Sequence, residues 1–146
     1  MRLSKRGEYG LRAMIYIAQH TSQGDPIPTR EIAENEGISE KFLEQILKSL
    51  KNAGLLHSRR GVSGGYILGH PADQIFLGQV ERIPDGPLAP IPCVSEMAYA
   101  PCSCPDEATC GLRMVMFDVR KAVVDILDHT SLADVTRRLE ILTTRM

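Results

Sequence analysis

The stretch from Gly37 to Gly69, "GISEKFLEQILKSLKNAGLLHSRRGVSGGYILG", changes its hydrophobic period half-way along, and that change leaves few folds open. In its first part Phe42, Leu43, Ile46, Leu47 and Leu50 recur at helical spacing and form one apolar face. Glu40, Lys41, Glu44, Gln45 and Lys48 fall on the other face. Ser39 is placed to cap this helix, Ile38 can staple onto Leu43, and Gly54 stops it. Beyond Gly54 two β-rich runs flank a turn carrying Gly61, Gly64 and Gly65, the pattern of a hairpin with a longer loop.

Upstream, Tyr9, Leu11, Met14, Ile15, Ile17 and Ala18 predict a largely buried helix over Glu8 to His20. Gly24, Pro26 and Pro28 end it. Thr29 is expected to cap a short helix, "REIAENE", which Gly37 stops. The order helix, short helix, turn, helix, hairpin is a helix-turn-helix followed by a wing. Downstream, a short helix starting near Leu77 is expected to pack under this module, and Pro84 to Pro92 reads as a loop with four prolines. Leu112, Val115, Met116, Val119, Val123, Ile126 and Leu127 then stripe one long helix from Gly111, and Thr130 or Ser131 caps a last short one. The predicted fold is mainly α with a small β-hairpin wing. Residues 1–83 form the winged helix-turn-helix, 84–110 a loop holding every cysteine, and 111–146 a long helix with a C-terminal helix.

With 146 residues the chain suits one compact domain plus an appendage. No apolar run approaches the roughly 20 residues of a membrane helix. Charges thread the first twenty residues, unlike a signal peptide, so the chain reads as cytoplasmic, with no membrane partner. Net charge is −1, yet Met1 to His70 carries ten Lys/Arg against seven Asp/Glu and the remainder seven against eleven. The mildly basic front half is where nucleic acid is permitted. No base–nucleophile pair is evident and the wing glycines lack the Walker lysine, so neither catalysis nor a small-molecule substrate is expected.

The N-terminal end of a second helix can enter the major groove of double-stranded DNA, where Ser39, Glu40, Lys41, Glu44, and beyond them Gln45 and Lys48, would reach base edges or phosphates. Lys41 and Lys48 suit phosphates, and Glu44 could accept from a cytosine amine. The same residues would also serve as the solvated face of a core helix. Arg59 and Arg60 before the Gly64–Gly65 tip suit a minor groove, whose negative potential attracts arginine. In isolation they are equally a surface turn. Paired half-sites demand a two-fold dimer, and the long helix is placed to pair with its twin, although its stripe could also close the core of one chain.

Cys93, Cys102, Cys104 and Cys110 are all the cysteines present. Stable disulfides are disfavoured in a reducing compartment. Their gaps of eight, one and five residues do not make two zinc knuckles, and His57 and His129 lie in other elements. Thiolates in an irregular loop, with Cys110 at the start of a helix, suit an iron–sulfur unit. A structural zinc and a thiol-only redox switch stay open beside it.

"MRLSKRGEYGLRAMIYIA", "GISEKFLEQILKSLKNAGLL", "RRGVSGGYILG" and "CGLRMVMFDVRKAVVDIL" resemble, in order, signature stretches of the IscR/NsrR family of winged-helix regulators. The resemblance implies a homodimeric transcription factor with a long dimerisation helix. It also implies a loop that in many members binds a 2Fe–2S or 4Fe–4S cluster through three cysteines, the cluster state tuning DNA affinity to iron–sulfur supply, nitric oxide, iron or redox stress. Carried over by position, Cys104 and Cys110 match the last two ligands and Cys93 the first, ahead of the insertion "VSEMAYAPCS". Cys102 is then an extra thiol or a substitute for Cys104. In extended chain a Cys-x-Cys pair points to opposite faces, so both are not expected on one iron. Some relatives use a histidine three residues after the last cysteine, where this chain has Arg113. Others use an acid near the N-terminus, where Glu8 sits, donated by the other subunit or simply stabilising its own helix. Cluster-free members, thiol sensors and partners of cysteine-biosynthesis enzymes, complete the expectation.

Overall fold

The computed structural model describes residues 2–21 and 24–146. Ser4 starts the first helix, α1 (Lys5–His20), by accepting from the Gly7 amide at 3.0 Å. The helix therefore begins three residues before the Glu8 that periodicity marked, because a capping hydroxyl rather than an apolar residue sets its end. Helix α2 (Thr29–Glu36) is capped by Pro28, with no side-chain bond. Thr29 is thus its first residue and not the cap, since the rigid extended proline already directs the chain into the turn. Gly37 ends α2 in the left-handed region, φ 65°, where an L side chain would be strained. Ser39 then caps α3 (Glu40–Asn52) by accepting from Phe42.

Strands β1 (Leu56–Arg59) and β2 (Gly65–Leu68) pair antiparallel in the register Leu56↔Leu68 to Arg59↔Gly65. Ile27 adds a single bridge to Tyr66. A Cβ on Gly65 would sit 2.3 Å from the Ile27 carbonyl, so the hairpin lies on the α1–α2 connection only because that residue has none.

Helix α4 (Leu77–Asp85) continues through Pro84, two residues into the segment expected as loop. A proline there costs only one terminal hydrogen bond, and Gly86 finishes the helix by donating to the Arg82 carbonyl at 2.9 Å. The chain from Pro87 to Cys110 holds two short 3₁₀ turns, Pro92–Val94 and Glu107–Thr109, before α5 (Gly111–His129) and α6 (Leu132–Thr144). Ser131 and Asp134 cap α6 reciprocally.

Ala13, Met14, Ile17, Ile32, Leu43, Leu47, Leu50, Leu56, Ile75 and Val80 form one buried cluster. Each buried Ile or Leu supplies about 1.5–3 kcal/mol, so the winged module holds its own shape. Leu132 enters the same cluster, and its amide donates to the Ile75 carbonyl at 2.9 Å. The last helix is thereby anchored in the first module. By contrast α5 fully buries only Arg120. Leu112 and Ile126 are 62% and 64% exposed, and Met114, Val115 and Phe117 are exposed with them. No helix of the described residues is long and apolar enough to cross a membrane.

Candidate DNA interface and cysteine centre

Exposed Ser39, Glu40, Lys41, Glu44 and Lys48 lie on the face of α3 opposite its buried Leu43, Ile46, Leu47 and Leu50. The apolar half of that helix fixes its roll, so the polar half has no freedom but to face outward. Gln45 is drawn aside, its Oε1 accepting from Arg6 at 3.1 Å. The Phe42 ring packs edge-on against Tyr9 at 5.8 Å and further joins α3 to α1.

Arg59 ends β1 and Arg60 follows it, both exposed, ahead of a fully exposed Val62 at the wing tip. Gly64 closes the tip by donating to the Gly61 carbonyl at 3.0 Å. Gly64 and Gly65 therefore shape the wing and seat it against Ile27.

All four cysteines are free thiols, with Cys93 buried and the others half-buried. Ser103, Cys104 and Pro105 form a bend, and the Cys104 amide donates to Cys102 Sγ at 3.2 Å. Cys93 and Cys102, Cys102 and Cys104, and Cys104 and Cys110 are near enough for each to influence the other's ionisation. The opposite-faces argument for Cys102 and Cys104 fails, since it holds only for extended chain. Burial raises the Cys93 thiol, and the Cys104 hydrogen bonds lower Cys102. Cys104, donating to Cys102, is pushed up to about 12. The Cys104 amide hydrogen bond thus favours the thiolate form of Cys102.

Two side chains that periodicity could not single out brace this loop. Glu107 accepts from Tyr99 Oη at 2.6 Å and from the Cys102 amide at 2.5 Å, which keeps its carboxyl below the usual range. Arg113, one turn into α5, donates to the Cys93 carbonyl at 3.3 Å. Among the described residues no three His, Cys, Asp or Glu side chains are gathered as a ready metal site. The donor set itself, four neighbouring thiols in one loop, suits a soft metal centre that closes around them. Glu8 lies in the first turn of α1, paired with Lys5 at 3.3 Å and Arg12 at 3.6 Å rather than with any cysteine of its own chain.

A family model described as Rrf2, iron-dependent transcriptional regulator, matches residues 3–138. The chain belongs to the Rrf2 family. Its Rrf2 relatives include the HTH-type transcriptional regulator CymR of Bacillus subtilis, 36% identical and matched over 92% of this chain and 88% of that one. The HTH-type transcriptional regulator IscR of Erwinia tasmaniensis is 34% identical, over 97% and 82%. The solved structure of CymR, the global cysteine regulator of B. subtilis, superposes with a TM-score of 0.79 at 33% identity, covering 94% of this chain and 98% of that one. This Rrf2 chain is accordingly a winged-helix transcriptional regulator of a DNA-binding family, and its relatives are regulators rather than enzymes.

Proposed function

We propose that the protein binds operator DNA as a homodimer and that the thiol loop adjusts its affinity through an iron–sulfur cluster held by Cys93, Cys104 and Cys110. The observation that carries this reading is that all four free thiols stand in one loop, which ends with Cys110 at the N-terminus of α5. The cluster would supply iron–thiolate bonds that draw the loop shut, with Glu8 of the partner subunit available as a fourth donor and Cys102 able to replace Cys104.

Recognition rests on the same chain's polar surfaces. Lys41 and Lys48 would take phosphates, Ser39, Glu40 and Glu44 would meet major-groove base edges, and Arg59 and Arg60 would reach the minor groove from the Gly64–Gly65 tip. The apolar side chains that α5 leaves exposed are the surface a second copy would cover. Loop and reading head are joined through α5: Arg113 ties it to Cys93, and Asp128 accepts from Arg82 of α4 at 2.6 and 2.9 Å. A change in loop closure would thus bias how α5 sets the spacing of the two α3 helices.

The test is a visible spectrum of protein purified without oxygen. Brown protein with charge-transfer bands supports the proposal, and colourless protein after iron–sulfide reconstitution overturns the cluster. A second reading keeps the DNA-binding dimer and makes the loop a cluster-free thiol switch or partner sensor. What favours it is Cys102, which stands beside both Cys93 and Cys104 and accepts from the Cys104 amide, and the likeness to a cysteine regulator.

A further inference from the structure

Arg6 of α1 stands against the flank of α3, beside the outward face that carries Lys41, Glu44 and Lys48. Its Nη2 donates to Gln45 Oε1 at 3.1 Å, and its guanidinium lies 5.4 Å from the centre of the Phe42 ring. Helical spacing places Gln45 between the exposed row of Lys41 and Lys48 and the flank formed by Phe42 and Ser49. Arg6 is thereby fastened to the edge of the outward face.

Both of its partners are neutral, and that sets Arg6 apart from its neighbours. Lys5 lies 3.3 Å from Glu8, Arg12 3.1 Å from Glu36 and Arg30 3.0 Å from Glu34, so each already faces a carboxylate. Arg6 is exposed and faces no carboxylate among the described residues. A guanidinium held by an amide and a ring keeps its whole charge, and its remaining N–H groups, for an outside anion. The backbone beneath it is fixed as well. Ser4 donates to Asp85 of α4 through its amide at 3.1 Å and through its hydroxyl. Gly7 lies so close to α4 that a Cβ there would stand 2.5 Å from oxygens of Glu81 and Asp85. A cation already in place loses little side-chain freedom on contact.

We propose that Arg6 is a phosphate contact of the DNA interface, with Gln45 as its positioning residue and not a reader of bases; this rests on the operator-binding reading above. An α-helix about 10–12 Å across fills a major groove about 12 Å wide, so a group on its flank meets the sugar–phosphate strand that walls the groove. Such a contact fixes register and adds affinity for any sequence.

Fluorescence anisotropy of the full chain across a salt series tests this on two duplexes, an operator selected from a random pool and a mixed-sequence duplex of equal length. Arg6→Ala should weaken binding to both about tenfold, the worth of a charge-assisted hydrogen bond, and reduce the slope of log affinity against log salt by about 1 per half-site. Arg6→Lys should keep the wild-type slope. Gln45→Ala should weaken binding in the wild-type chain but not further in Arg6→Ala, a coupling that base contact by Gln45 would not produce. Both side chains are exposed, so the melting temperature should hold. Wild-type protein that bound neither duplex would overturn the DNA-binding reading and this assignment with it. Wild-type binding with an unchanged slope in Arg6→Ala, or independent losses from Arg6→Ala and Gln45→Ala, would overturn the assignment alone.

Discussion

Glu81 shows what a single side chain does to the pH behaviour of the whole. Burial, with the Asp85 carboxylate beside it, pushes its carboxyl up to about 8, whereas Asp85 is held below the usual range by the hydrogen bonds it accepts from Glu81 and Ser4. The folded state thus holds the Glu81 proton that the unfolded chain releases above about pH 4.5. Stability from this group is complete below that pH and declines as pH rises through about 8. Glu81→Gln donates to Asp85 without ionising, so thermal unfolding of the variant should lose that decline and melt above wild type at pH 8.5. Nothing in the sequence distinguished Glu81 from other acids on a helix, because its burial arises from Gly7 crossing above it. The same holds for Glu107, and for Arg113 the sequence marked only a missing histidine, since the partners of both depend on how the loop bends. Ser39, in contrast, was legible: a cap needs only its own helix, and local chemistry reads directly. The geometry around Cys102 was not legible, because the bend at Ser103–Pro105 replaces the extended chain that separation by one residue suggests.

At the scale of elements, the change of period at Gly54 carried the helix and hairpin almost to the residue, since burial on one face dictates both periods. Ends were less legible where proline acted. Pro28 displaced Thr29 as the cap, and Pro84 was absorbed into the last turn of α4. The wing is the element with the sharpest prediction. Replacing Arg59 and Arg60 together by alanine should weaken operator binding and reduce the slope of log affinity against log salt by about 1–2. An unchanged slope in fluorescence anisotropy would dismiss the wing as a DNA contact. The fold should survive this change, because both side chains are exposed and pair with nothing among the described residues.

For the whole molecule, the stripe on α5 was readable, but which side of it would be covered was not, since periodicity alone cannot tell an intramolecular partner from a twin. Val115→Glu with Ile126→Glu should leave the winged module folded, for both positions are exposed. It should give monomers by analytical ultracentrifugation and lose tight binding to paired half-sites; a dimer that persists would place the interface elsewhere. Asp128→Ala removes the acceptor of Arg82 and should destabilise the chain by about 1.5–3 kcal/mol in urea unfolding, the range for hydrogen bonds to charged groups. It should also weaken any coupling between the thiol loop and DNA affinity, measured as the ratio of operator affinities with the loop oxidised and reduced.

Because Leu132 is buried in the core and Asp128 is clasped by Arg82, α5 is fixed at its C-terminal end, while its N-terminal end carries Cys110. Its 19 residues span about 28 Å. The helix is therefore a lever with its fulcrum beside the DNA-reading module and its handle at the thiols. A shift of about 2 Å at the handle turns the shaft by about 4°, small in angle but carried along the full length of the arm.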